Sequence, residues 1–187
     1  TKLKSVFNEI CGQTFKSKIT LNSQQTYNTL RLDIQSYTGD RSSSKPPIGH
    51  AKKLIEMGME QSMEMRDEIF LQLIKQTREN PIRMPISHQS PAINRDSHSD
   101  KLLRAWKLFG VISSVFYPGD TLYYPCLNYL WNVAINDKEE EIQRYARFCF
   151  KRVQKIFEGD IRLKAPCNEE IQFVEVCRLS LCPLNCS

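Results

Sequence analysis

Apolar residues recur along this chain at the three- and four-residue spacing of a helix face, and strand-type alternation is scarce. Tyr27, Leu30 and Ile34 form one such stripe. Pro46 and Pro47 suit the first turn of the next helix, where a missing N–H costs little, ahead of Ala51, Leu54 and Ile55. In MRDEIFLQLIKQ, Met65 to Gln76, Ile69 and Leu73 share a side with Gln76, while Phe70, Ile74 and Thr77 lie beside them. This spacing predicts a central helix. Leu102, Leu103, Trp106, Phe109, Gly110 and Ile112 resume the pattern, and Asp120 is placed to cap a helix carrying Leu127, Leu130, Trp131 and Ala134. Asp137, with Glu140 three places on, resembles a capping box opening the clearest helix, with Ile142, Tyr145, Ala146, Cys149, Val153 and Ile156 on its apolar stripe. Gly39, Gly58, Gly119 and Gly159 read as punctuation between these segments. The stretch ENPIRMPISHQSPAINRDSHS has no apolar period and reads as a long polar loop, at 79–100. The pattern predicts an all-α fold without internal repeats.

Length and composition keep that picture to one domain spanning 1–187, because 187 residues with 41% apolar and 25% charged positions suit a single globular core. No run approaches the roughly 20 apolar residues that cross a bilayer, and the start TKLKSVFNEICGQ lacks the apolar centre of a signal peptide. A cytoplasmic protein is expected. Seven cysteines, Cys11, Cys126, Cys149, Cys167, Cys177, Cys182 and Cys186, are odd in number and irregular in spacing, which suits reduced thiols better than a disulfide framework. Four crowd towards the end, in and just before a Cys-rich tail at 177–187, without a C-x-x-C pair or a nearby His, so no metal and no cofactor is expected.

Nothing in the sequence assembles a catalytic centre. His88 and His98 fall in the polar loop, and His50 has no motif around it. Phosphate-binding, dinucleotide, zinc-protease and calcium loops are all missing. Asp67 and Glu68 are adjacent on a helix, so they point about 100° apart and do not converge on one substrate.

Five stretches then carry a resemblance: IQSYTGD (34–40), MRDEIFLQLIKQTRENP (65–81), LLRAWKLFGVISSVFYPG (102–119), YARFCFKRV (145–153) and RLKAPCNEEI (162–171). In order and spacing, over about four-fifths of the chain, they are similar to the MyTH4 domain, the myosin tail homology 4 module. That family occurs in unconventional myosin tails, some kinesins and a group of Rho GTPase-activating proteins. The resemblance implies an elongated multi-helix bundle without enzymatic activity, which binds microtubules or other partners and works beside a neighbouring FERM domain. A regulatory or scaffolding segment of a Rho GTPase-activating protein, with its catalytic domain elsewhere, is the alternative. Thr38 stands where the family usually has Met, Ala105 where Gly precedes the Trp, and Gly119 where Ser is frequent. The loop after Pro81 is longer than usual, and nothing after Glu175 resembles a FERM start.

Within this frame Arg66, Asp67 and Glu68 read as a structural clasp, with Arg104 as their partner from the next helix, since buried carboxylates call for a paired guanidinium. The functional surface is expected where charge is unpaired. Arg144, Arg147, Lys151 and Lys155 follow at i, i+3, i+7 and i+11, a cationic ridge beside the apolar stripe, which Arg162 and Lys164 extend. Lys2, Lys4, Lys16 and Lys18 form a second basic group. The family resemblance makes tubulin, or another acidic protein, the expected partner of the ridge. Nucleic acid is not expected, because Tyr145 and Phe148 are committed to packing and no stacking aromatics interleave with the cations.

Overall fold

The computed structural model describes residues 21–78, 95–162 and 164–176, and these form seven α-helices with no strand among them. The first, α1 (Leu21–Thr38), stops at Gly39, whose φ of +84° turns the chain so that the N–H of Arg41 returns to the Gln35 carbonyl at 3.1 Å. Pro46 is the N-cap of α2 (Pro47–Glu60), with Pro47 in its first turn as the sequence pattern requires. A short break at Gln61–Ser62 leads into α3 (Met63–Arg78), which has Glu64 in its first turn and Lys75 and Arg78 in its last, the arrangement that complements the helix dipole.

The longest helix among the described residues is α4 (Arg95–Ser113), and it packs against α1, α2 and α3. Its first residues occupy the end of the stretch read as loop. They are polar, so they leave no apolar period to detect. Three more helices follow: α5 (Asp120–Asn136), α6 (Glu140–Phe157) and α7 (Asn168–Val176), of which α6 and α7 also pack on α4. The central position expected for α3 is therefore shared with α4. Both are lined by fully buried side chains, Ile69, Phe70, Leu73 and Ile74 on α3 and Leu108, Phe109 and Ile112 on α4. Trp106 of α4 stacks between Phe109 and Tyr129, with ring centroids 5.6 and 6.2 Å away. The Tyr129 hydroxyl donates to Thr77 Oγ1 at 2.8 Å, joining α5 to α3.

The α5–α6 pair is antiparallel. Arg147 lies by Ala134, Trp131 by Phe150, and Tyr123 stacks on Phe157 at 4.0 Å. Asp137 and Glu140 do not build the expected capping box. Glu139 is the N-cap of α6 and has no side-chain bond, while Asp137 ends α5 and accepts the Glu139 N–H at 3.1 Å in a local turn. Asp120 is likewise the first residue of α5, and its N-cap is Gly119. No helix among the described residues is long and apolar enough to cross a membrane. The loop at 79–94, the tail at 177–187 and the Lys2, Lys4, Lys16 and Lys18 group lie outside the described residues.

Gly58 is not punctuation between helices. It lies buried inside α2, where a Cβ would sit 2.1 Å from the ring of Phe116. Here the missing side chain lets an aromatic ring close on the backbone. We expect Gly58→Ala to destabilise the domain by about 1–3 kcal/mol, the range for overfilling a packed site, as read by thermal unfolding. A variant that melts with the parent would show that Phe116 moves aside freely.

Candidate partner-binding surface

Four of the six cations expected on the binding surface belong to α6, the helix with the sharpest division between apolar and polar faces. Ile142, Tyr145, Ala146, Cys149, Val153 and Ile156 are buried against α4 and α5, which turns the Arg144–Lys155 stripe away from the core. Arg144, Arg147, Lys151 and Lys155 fall within roughly 80° of arc. Their surroundings differ. Arg144 Nη2 donates to Glu140 Oε1 at 2.6 Å, and this bond together with the guanidinium charge holds the Glu140 carboxyl below its usual range. Arg147 donates to Gln143 Oε1 at 2.5 Å and reaches towards the Ala134 carbonyl at 3.4 Å, so its positive charge has a neutral partner. Lys151 and Lys155 are exposed, with no carboxylate partner among the described residues.

Beyond α6, Arg162 is tied down. Its Nη2 meets both carboxylate oxygens of Glu170 at 2.6 Å, and its Nε donates to the Lys164 carbonyl at 2.9 Å. Glu170 also accepts the Cys167 N–H, and these bonds, Arg162 first, hold its carboxyl below the usual range. Arg162 thus fastens the α6–α7 connection, while Lys164 is exposed. A groove of about 530 Å³ lies between α4, α6 and α7, with Val111, Val115, Phe148 and Ile171 along its floor and Lys155 and Arg152 on its rim. Arg152 is paired with Asp160 at 3.2 Å.

The residues read as one clasp divide into separate contacts. Arg66 donates from Nε to the Gly58 carbonyl at 2.6 Å, with its guanidinium 5.5 Å from the Phe116 ring centroid, so it joins α3 to α2. Asp67 accepts the backbone N–H of Gly119 at 2.6 Å, joining α3 to the start of α5. Glu68 is buried and accepts from Gln72 within its own helix at 2.6 Å. Arg104 takes no part in these contacts: it is exposed, and its Nη1 lies 3.0 Å from the position of a Cβ on Gly39. Two residues along a helix are about 200° of rotation, so burying Trp106 turns Arg104 outward.

One arrangement escaped the sequence reading. His50, set aside as a histidine without a motif, is buried on α2, and its Nδ1 lies 2.9 Å from Asp33 Oδ1 of α1. Its Nε2 lies 2.8 Å from Ser43 Oγ in the connecting turn. Ser, His and Asp thus stand in the order of a hydrolytic triad. Asp33 Oδ2, however, faces Lys53 Nζ at 2.5 Å, and that ammonium takes up the charge that would otherwise stabilise an imidazolium. Ser43 Oγ also accepts the Lys45 N–H at 3.1 Å. The array binds α1, the turn and α2 together. The only sequence signal for it is His50 on the apolar face shared by Ala51 and Leu54.

Among the described residues no group of His, Cys, Asp and Glu could hold a metal ion. Cys126 and Cys149 are buried thiols pushed up by desolvation, Cys149 to about 12, and Cys167 is exposed. Cys11, Cys177, Cys182, Cys186 and His88 lie outside the described residues.

Removing the Asp67 carboxylate leaves the buried Gly119 N–H without its acceptor. Asp67→Ala should therefore cost about 1–3 kcal/mol in urea unfolding. Arg104→Ala should stay within about 0.5 kcal/mol of the parent, as exposed substitutions do. The reverse order would restore Arg104 to the clasp.

Burial pushes the Glu68 carboxyl above its usual range, against the opposing Gln72 bond. A carboxyl raised by folding binds its proton more tightly in the native state, so its contribution to stability falls as pH climbs through the raised value. Glu68→Gln removes that fall. Between about pH 4 and 7 the variant should gain stability relative to the parent, as measured by urea melts at each pH. A constant difference across that range would mean that Glu68 titrates alike in both states.

The family model for the MyTH4 domain matches residues 51–173. Among solved structures, the myosin VII MyTH4-FERM MF1 domain of Dictyostelium discoideum, in its mutant 2 form, superposes with a TM-score of 0.68 at 20% identity. The match covers 85% of this chain and 30% of that one. The MF2 domain of the same myosin gives 0.65 at 20%, over 84% and 30% of the two chains. The human myosin 7b C-terminal MyTH4-FERM domain, solved in complex with the harmonin-a PDZ3 domain, gives 0.62 at 17%, over 83% and 28%. The chain thus spans less than a third of the length of these structures. With seven helices in this arrangement and a family model that spans most of them, the chain belongs to the MyTH4 family.

Proposed function

We propose that this MyTH4 domain is a non-catalytic, cytoplasmic module of the cytoskeleton that engages microtubules, or another acidic protein surface, through α6. The observation that carries this reading is the exposure of Arg147, Lys151 and Lys155 along one side of that helix, without a carboxylate partner among the described residues. Unpaired surface cations set up a long-range field that draws in an acidic partner, whereas the pairs Arg144–Glu140 and Arg162–Glu170 are neutralised within the domain. The effective ridge is then shorter than the six-residue set, with Lys164 as an outlying charge. A protein partner also fits the myosin 7b structure, whose MyTH4-FERM domain was solved bound to a PDZ domain.

Such a contact is screened over about 8 Å at physiological ionic strength, so binding should weaken steeply as salt is raised. Reversing Lys151 and Lys155 to Glu should abolish co-sedimentation with microtubules while shifting stability by no more than about 0.5 kcal/mol. Binding that persists in the double reversal and at high salt would move the contact to another surface.

A further inference from the structure

The outer face of α5 carries side chains that the core does not use. Trp131 is 52% exposed, Ile135 54% and Tyr124 71%. On a helix, positions 124, 131 and 135 fall within roughly 40° of one another and span about 16 Å along the axis. The sequence pattern places Trp131 with Leu127, Leu130 and Ala134. In the structure those three are buried and Trp131 lies outside their arc. Aromatics of α6 widen the stripe: Phe150 contacts Trp131 at 5.4 Å, and Phe157, itself 43% exposed, packs on Tyr123 beside Tyr124.

We infer that this α5 stripe, with its α6 border, is a docking site for an amphipathic helix of a partner protein, apolar along one face and acidic along the edge that meets Arg147 and Lys151. Exposed Trp and Tyr flanked by Arg form the side-chain mixture that dominates protein interfaces, because rigid rings bury a large area at small entropic cost. A straight stripe three turns long matches the i, i+3, i+4, i+7 anchors of a helix laid along it. Charge sets the acidic edge. Cations occupy the middle of the α6 side, and carboxylates lie at the extremities, Asp120 at the start of α5 with Glu158 beside Tyr123, and Asp137 at the end of α5 with Glu140 at the start of α6.

Two other occupants fit less well. A second copy of this chain would bring its own cations against these. A bilayer would leave the exposed amide of Asn128, which interrupts the stripe, without partners in the acyl region. The inference does not rest on microtubule binding, since its apolar anchors lie on α5 and only its acidic edge shares Arg147 and Lys151 with the ridge.

The test uses the full chain. Helical peptides are selected from a randomised 16-residue display library against the wild-type protein, and the best are synthesised with a fluorescent label. We expect the selected peptides to be acidic and amphipathic, and to shift Trp131 emission to the blue, a shift lost in Trp131→Phe. Tyr124→Ser and Ile135→Ser, tested separately so that a folding defect in one does not decide the matter, should each weaken peptide binding at least tenfold with unchanged melting. Peptides indifferent to both substitutions would overturn the site. So would binding confined to phosphatidylserine vesicles, or a dimer in sedimentation equilibrium that Ile135→Ser dissolves. Microtubule co-sedimentation of the Ile135→Ser variant should equal that of wild type, which separates failure of this site from failure of the ridge.

Discussion

The carboxylate of Asp67 holds the backbone N–H of Gly119 at 2.6 Å across 52 residues of sequence, and that bond determines where α5 begins. The space around it is closed, because a Cβ on Gly119 would lie 2.8 Å from Met63 Cγ. Without a Cβ at this position, the carboxylate and the Met63 side chain approach the backbone together. Once α5 starts there, its buried face meets α3 and α6, and the antiparallel pairing with α6 sets which side of that helix looks outward. Both surfaces assigned to partners thus depend on one carboxylate that is itself costly to bury, since desolvation raises its affinity for a proton.

The division between paired and unpaired cations follows from helix ends. Glu140 and Glu141 open α6 and Glu169 and Glu170 open α7, where the dipole favours negative charge. Cations within reach of those first turns, Arg144 and Arg162, are drawn into ion pairs. Lys151 and Lys155 are about two and three turns beyond Arg144 along α6, out of reach of Glu140, and stay uncompensated. The surface proposed for the partner is where the carboxylates run out.

Periodicity made the helices legible because burial on α3, α4 and α6 repeats with the turn of the helix, and every residue of the α6 stripe is buried where its spacing placed it. Contacts between helices were far less legible. Arg104 and Trp106 are neighbours in sequence yet face opposite ways, so the guanidinium expected to serve Asp67 and Glu68 is on the solvent side. A mid-helix glycine costs about 1 kcal/mol in propensity, and a local reading ends the segment at Gly58. Only the tertiary approach of Phe116 explains why it stays inside. Trp131 shows the same limit from the other side: an apolar residue at helical spacing need not be in the core when the packed arc is narrow.

Ser43, His50 and Asp33 show how far three-point geometry can mislead. A template of nucleophile, imidazole and carboxylate at hydrogen-bonding separation would match these atoms as well as it matches a hydrolase. What separates the two is a fourth group, the Lys53 ammonium across the carboxylate, which such a template never asks about. Assigning chemistry from spatial motifs therefore needs the charge balance of the whole cluster, including the residues behind the acid, before any fold is credited with a reaction.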